Sequence, residues 1–431
     1  MEPSVNLAAP NRHITVILAI ALAFAVFVAP PATVAQERDP DQHWLATWSA
    51  SPVAGGAVFN NQTLRLIVHT SVGGNEVRVR LSNTFGTGSL VIGAVHIAIR
   101  TTDAAIVPAS DRALTFGGAS SITIPPGALV VSDPVDLDVP PVQDLAVSIY
   151  LPGDTGPATR HPSALQTSYI SAAGDFSGAI TMPFTDTTQS WFFLTDVEVT
   201  APRQTGAIVA FGDSITDGTG STPDTNNRWP NHLANRLLAG NGDQRMAVLD
   251  EGIAFNRILH DGPFVNGPAG VSALARFDRD VLTRTGVKHV ILLESINDIG
   301  FPGGVAPSAE AVTADEIIVG LRQLIERAHA RGLKIFGATL TPFEGVTIAA
   351  YFTAENEAKR QVVNQWIRTS HAFDAVIDFD AVVRDPNHPT QFLTIYDSGD
   401  HLHPSDAGYK AMANTIDVSL FQHDRRLRSR A

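Results

Sequence analysis

The chain contains no cysteine. Disulfide staples, thiolate nucleophiles, cysteine-ligated zinc and iron–sulfur clusters are therefore excluded. Basic charge is also scarce, with 30 Lys and Arg against 43 Asp and Glu and a net charge of −13. That balance disfavours attraction to nucleic-acid phosphates or to an anionic membrane surface, so no nucleic-acid partner is expected. Charged residues of both signs make up only 17% of the sequence and hydrophobic ones 44%, proportions that suit a folded globular protein. At 431 residues the chain can bury enough apolar surface without disulfides, and its length favours two domains over one.

One long apolar run is present, from Ile14 to Val28, preceded by Arg12 and followed by Pro30-Pro31 and Thr33-Val34-Ala35. It falls short of the roughly 20 residues that span a hydrocarbon core. A base, an apolar stretch and small residues in that order are the parts of a secretory signal peptide. We expect residues 1–35 to be removed near Ala35-Gln36, leaving a secreted or periplasmic protein without stable membrane insertion.

Residues 36–203 and 204–431 differ in rhythm. In the first part apolar positions alternate: Val77, Val79 and Leu81 are separated by Arg78 and Arg80, and Leu145, Val147, Ile149 and Leu151 by Ala146, Ser148 and Tyr150. Such runs predict half-buried strands, and the turn clusters Gly73-Gly74-Asn75, Gly117-Gly118 and Pro125-Pro126-Gly127 punctuate them. An antiparallel β-sandwich of jelly-roll type follows. In the second part, short apolar strands at Ala207–Phe211, Ala247–Asp250, His289–Leu293, Lys334–Leu340 and Ala375–Phe379 are separated by helical spacing over Pro230–Ala239, Ser272–Thr283, Asp315–Ala330 and Glu357–Ser370. That alternation predicts a parallel sheet flanked by helices, with ligands bound beyond the carboxyl ends of the strands.

Four loops on that edge carry chemistry. The first strand runs into Gly212-Asp213-Ser214-Ile215-Thr216, where a serine on a tight turn opens a helix. Its hydroxyl can attack while its own N–H stabilises an oxyanion. Near the other end, Asp400 and His403 stand three apart, so that a carboxylate could orient an imidazole toward a serine. His401 competes for the role of base, and Asp397 or Asp406 for that of acid. A metal reading of Asp400, His401 and His403 is weak, since neither the helical H-E-x-x-H spacing nor another histidine-rich stretch supplies further ligands, and no cofactor is expected. After the third strand, Asn297 could donate its amide to an oxyanion. The exit of the second strand, Glu251 to Arg257, lies on the same rim.

At these four places the chain resembles the SGNH/GDSL hydrolase superfamily, over roughly Ala207 to Leu420. The resemblance implies a flavodoxin-like three-layer α/β/α domain with Ser214 as nucleophile, His403 as base and Asp400 as its orienting acid. The implied oxyanion hole comprises the Ser214 N–H, a second-block N–H and the Asn297 side chain. In this family the block Gly252-Ile253-Ala254-Phe255-Asn256-Arg257 reads G-I-x-G-N-R, so Phe255 stands at the hole's glycine. Ser295 likewise replaces the glycine of G-x-N-D. If either position requires a positive φ the backbone is strained there, and the Phe255 ring would crowd the acyl pocket.

The β-rich half is similar to the accessory jelly roll of some secreted carbohydrate esterases and lysophospholipase-like enzymes. Trp44, Trp48 and Trp191 could stack on sugars, although core packing is the favoured role. The expected activity is ester hydrolysis on a small-molecule or polysaccharide ester. Deacetylation of a polysaccharide is the first choice and a lipid or aryl ester the runner-up. The alternative of another class is a glycan-binding protein with an impaired hydrolase half.

Overall fold

A computed structural model describes residues 41–240, 245–263 and 269–422. The expected signal peptide lies outside them. Among the described residues no helix is long and apolar enough to cross a membrane.

The alternating sequences form two antiparallel sheets. One is ordered Gln42–Ser49, Leu194–Pro202, Gly74–Ser82 and Leu129–Val131, with Val135–Val139 also pairing to Gly74–Ser82. The other runs Phe184–Thr188, Ser168–Ala173, Gln62–His69, Asp144–Leu151, Ala94–Ile99 and Arg112–Leu114. Val77, Val79 and Leu81 are buried while Arg78 and Arg80 stay partly exposed, as period two requires. The strand Asp144–Leu151 differs from expectation, because Ala146 and Ser148 are buried as well. Ala146 belongs to a second apolar cluster with Ile67, Ala104, Ile106, Tyr169 and Met182, which covers the outer face. Ser148 Oγ accepts from Arg65 Nε at 2.8 Å beneath the same cover.

Between Pro202 and Gly206 the architecture changes. The five strands that follow are all parallel, in the order Met246–Gly252, Gly206–Gly212, Val287–Leu293, Lys334–Ala338 and Ala375–Ile377. This is the flavodoxin-like order, in which the first strand is flanked by the second and third and their exits open a crevice. The helix Ala314–His329 starts at a capping box of Thr313 and Glu316, and Ala354–Thr369 starts at Thr353. The helix expected over Ser272–Thr283 is divided: an α segment, Ala273–Phe277, continues as the π turn Asp278–Leu282. Buried Arg276 and Asp280 from this stretch join Arg284 in an ion-pair network.

That network lies on a seam. The β-rich half covers the edge of the parallel sheet, with the Val248 N–H donating to Ser71 Oγ at 3.1 Å and Ala46 N–H to the Thr285 carbonyl at 3.1 Å. Buried Glu251 accepts from Ser49 and Ser51 on one side and pairs with Arg284 at 2.6 Å on the other. Arg284 also reaches Asp196 of the sandwich at 2.7 Å. Desolvating these charges is offset because each has partners of opposite sign or hydroxyl donors. All described residues accordingly fall in one compact unit.

Candidate active site

Strand order brings the exits of the first three parallel strands together. The first, Gly206–Gly212, ends at Asp213, whose side chain caps the short helix Ser214–Asp217 by accepting from the Ile215 N–H at 2.9 Å. Capping leaves Ser214 as the first helical residue, so its N–H has no partner one turn back. The second strand passes directly beneath: a Cβ at Gly252 would lie 2.2 Å from the Asp217 nitrogen, a gap that only glycine fits.

The third component arrives from a tight loop closed by a Ser398 N–H to His403 carbonyl bond of 3.0 Å and a Ser405 N–H to Tyr396 carbonyl bond of 2.8 Å. Ser405 caps the helix Asp406–Thr415, which anchors the loop. His403 Nδ1 donates to Asp400 Oδ2 at 2.6 Å, leaving Nε2 as an acceptor 2.8 Å from Ser214 Oγ. Asp400 Oδ1 accepts from the Leu402 and His403 N–H groups at 2.9 and 2.8 Å. Burial opposes ionisation of Asp400, but the His403 hydrogen bond and charge and these two N–H groups hold it well below the usual carboxylate range.

The competing residues are engaged elsewhere. His401 is 48% exposed at its side chain and pairs with Asp397 at 2.6 Å, and Asp406 accepts from the Thr222 N–H and hydroxyl at 2.8 and 2.7 Å. Asp400, His401 and His403 thus point into two separate pairs and do not converge on a common ligand position.

Both substituted glycine positions have positive φ: Phe255 at 67° and Ser295 at 106°. A non-glycine residue there stores of the order of 1–3 kcal/mol of backbone strain, so the surroundings must enforce it. Around Phe255 the loop is pinned by Ile253 N–H to the Gly212 carbonyl at 3.0 Å, Ala254 N–H to Asp217 Oδ2 at 3.1 Å and Arg276 Nε to Asn256 Oδ1 at 2.8 Å. Asp298 accepts from the Ile258 and Leu259 N–H groups at 2.7 and 3.0 Å and ties the second and third exits together. Asn297 Nδ2 donates to the Asn256 carbonyl at 2.9 Å, which ties its amide to the loop that carries Phe255. Among the described residues the Ser214 and Phe255 N–H groups have no hydrogen-bond partner. These two donors, with the second Asn297 amide hydrogen, form a preorganised set able to receive a developing oxyanion.

Beneath the site lie buried acids. Burial pushes the Asp213 carboxyl up to about 7 and Asp298 to about 6, against the N–H groups they accept from. Glu294 is raised well above the ordinary range by burial and by neighbouring Asp213.

Ser295 offers a test of the strain. Its hydroxyl is buried and lacks a hydrogen-bond partner among the described residues. Ser295→Gly should therefore raise stability by about 1–2 kcal/mol, since it removes both the strained φ and the unsatisfied hydroxyl. Urea denaturation would read this, and an unchanged or lowered midpoint would contradict it.

Sequence reasoning did not find His161, Asp217 or Arg276. Buried His161, from the β-rich half, donates Nδ1–H to the Ser51 carbonyl at 2.9 Å and points Nε2 at Asp217 Oδ1, 3.1 Å away. Although burial opposes the charged form, the Asp217 charge and both hydrogen bonds raise its pKa. Arg276 donates to the Gly212 carbonyl and to the Glu251 carbonyl, both at 2.8 Å, and so stitches the first two strand ends. These contacts span distant parts of the chain and leave no local pattern. Trp44, Trp48 and Trp191 are all buried, and Trp48 packs edge-on to Trp191 at 4.8 Å, in keeping with the favoured packing role.

The parallel α/β sheet is the fold of the SGNH-type hydrolases. Residues 210–411 match the profile of the GDSL-like lipase/acylhydrolase family, which marks that segment as a domain of this type. No curated protein sequence gives a significant match. Similar solved structures include an aryl esterase of M. smegmatis, with 17% identity, 52% of this chain and 99% of that one covered, and a TM-score of 0.38. A carbohydrate acetylesterase of Sinorhizobium meliloti gives 17%, 49%, 96% and 0.37 in the same order. A GDSL-like lipase of Bacteroides thetaiotaomicron gives 17%, 50%, 86% and 0.36.

Proposed function

We propose that the protein is a secreted serine esterase that hydrolyses short-acyl carboxylic esters, foremost acetyl groups on extracellular polysaccharide, through an acyl-enzyme on Ser214. The observation that carries this reading is the unbroken hydrogen-bond series from Asp400 through His403 to Ser214. As Ser214 Oγ attacks the ester carbonyl, His403 Nε2 takes its proton. The Ser214 and Phe255 N–H groups and the Asn297 amide receive the oxyanion. His403 then returns the proton to the leaving alcohol, and water, activated by the same imidazole, releases the acid. No cofactor is required by these steps. The assembled series favours a working enzyme over a glycan-binding protein with an impaired hydrolase half.

Short acyl groups are favoured by Phe255. Its ring is only half-buried, stacks on Phe301 at 5.9 Å and belongs to the residue that would donate to the oxyanion. An acyl chain must pass close to that donor, so the ring stands as a wall. The purified protein should turn over p-nitrophenyl acetate faster than the butyrate and release acetate from acetylated polysaccharide. Phe255→Gly should raise the butyrate-to-acetate ratio by about tenfold, the scale expected of a pocket that gains room for methylenes. An unchanged ratio would refute the wall, and absence of acetate release from the polysaccharide would refute the substrate class.

A further inference from the structure

Tyr351 is fully buried in the segment after the fourth parallel strand, and its hydroxyl donates to Asn297 Oδ1 at 2.7 Å. The other end of that amide, Nδ2, donates to the Asn256 carbonyl at 2.9 Å. A flipped amide would set two carbonyl oxygens against each other, so the two contacts together fix which way Asn297 faces. One Nδ2 hydrogen is used by Asn256, and the second remains for a ligand.

The tyrosine is itself caged. A Cβ on Gly300 would come within 2.5 Å of its ring, so the ring lies flush against the backbone that follows Asn297. Phe301 and Phe343 meet it edge-on at 5.5 and 5.8 Å. Phe301 in turn stacks on Phe255, so one aromatic column runs from Tyr351 to the residue held at positive φ. Behind, the Tyr351 carbonyl accepts from Asn356 Nδ2 at 2.9 Å and anchors the segment to the helix Ala354–Thr369. Burial, with Asp213 and Glu294 nearby, raises the hydroxyl well above its ordinary range, so it remains a donor.

We propose that Tyr351 is a positioning residue of the oxyanion hole, orienting and polarising the Asn297 amide through its hydroxyl and bracing Phe255 through Phe301. The inference rests on the esterase reading above. A hydrogen bond to Oδ1 strengthens the amide N–H as a donor, and it does so most where negative charge develops in the transition state.

Tyr351→Phe keeps the ring and removes the hydroxyl. With p-nitrophenyl acetate we expect kcat to fall about tenfold with KM within twofold, the signature of an interaction that matters in the transition state. In an Asn297→Ala background the same change should have no further effect, because the group it orients is gone. Should Tyr351→Phe not fold, Gly300→Ala displaces the ring by crowding and should give the same kcat loss with the same dependence on Asn297. A kcat within twofold of the parent, or an equal loss in both backgrounds, would overturn the proposal. If Asn297→Ala itself keeps full activity, the oxyanion-hole reading fails; if Asn297→Ala is impaired and Tyr351→Phe is normal, only the role of Tyr351 fails.

Discussion

Ser214→Ala is expected to lower kcat on p-nitrophenyl acetate by about 10⁴-fold or more, with a small residual rate from the oxyanion donors and substrate binding. Ser214 Oγ is the atom to which His403 Nε2 is bonded, at 2.8 Å, so its removal leaves the imidazole without the hydroxyl it is poised to deprotonate. No thiol can substitute, because the chain has no cysteine. Asp213 N-caps the nucleophile helix through the Ile215 N–H, which alanine at 214 leaves intact, so the fold and KM should change little. Near-normal turnover by this variant would remove Ser214 from the chemistry.

Asp400→Asn should cost a comparable factor, about 10⁴ in kcat, by a different route. Asp400 Oδ1 accepts two backbone N–H groups, from Leu402 and His403, and an asparagine would keep its oxygen there. Its amide nitrogen would then face His403 Nδ1, where the native residue places carboxylate Oδ2. A donor at that position forces the proton onto Nε2, and an imidazole in that tautomer cannot accept from the serine. The loss is thus one of tautomer, and circular dichroism should report an unchanged fold. Activity within tenfold of the parent would contradict the argument. Because Asp400 is held ionised well below the usual carboxylate range, it does not titrate where the enzyme would work. A general base must be unprotonated to accept from the serine, so kcat/KM should fall on acidification, and a flat profile from about pH 5 to 8 would count against an imidazole as base.

Much of this site was legible because its parts are local. A strand running into Gly212-Asp213-Ser214 and a loop carrying Asp400 and His403 three apart are patterns read within a few residues. The parallel-sheet prediction then placed Asn297 on the same edge. The concern over Phe255 was also legible, since a residue standing where glycine is expected raises the question of φ, and the backbone there is at 67°. Contacts that depend on topology were not legible. Tyr351 meets Asn297 across 54 residues and His161 meets Asp217 across 56, with no periodicity linking either pair. The strand Asp144–Leu151 misled for a related reason: alternation of Leu145 and Val147 with Ala146 and Ser148 cannot reveal that a second apolar cluster covers the outer face. The division of the helix at Phe277 is likewise absent from helical spacing, because widening it to a π turn leaves the apolar pattern of the sequence unchanged.

The central claim is that Ser214 is an activated nucleophile. It is tested most directly by treating the purified protein with a fluorophosphonate and locating the adduct by peptide mass spectrometry. The account predicts one adduct, on Ser214, formed with loss of esterase activity and much more slowly in the Asp400→Asn variant. Full activity after treatment, or an adduct on another residue that accounts for the inhibition, would contradict it.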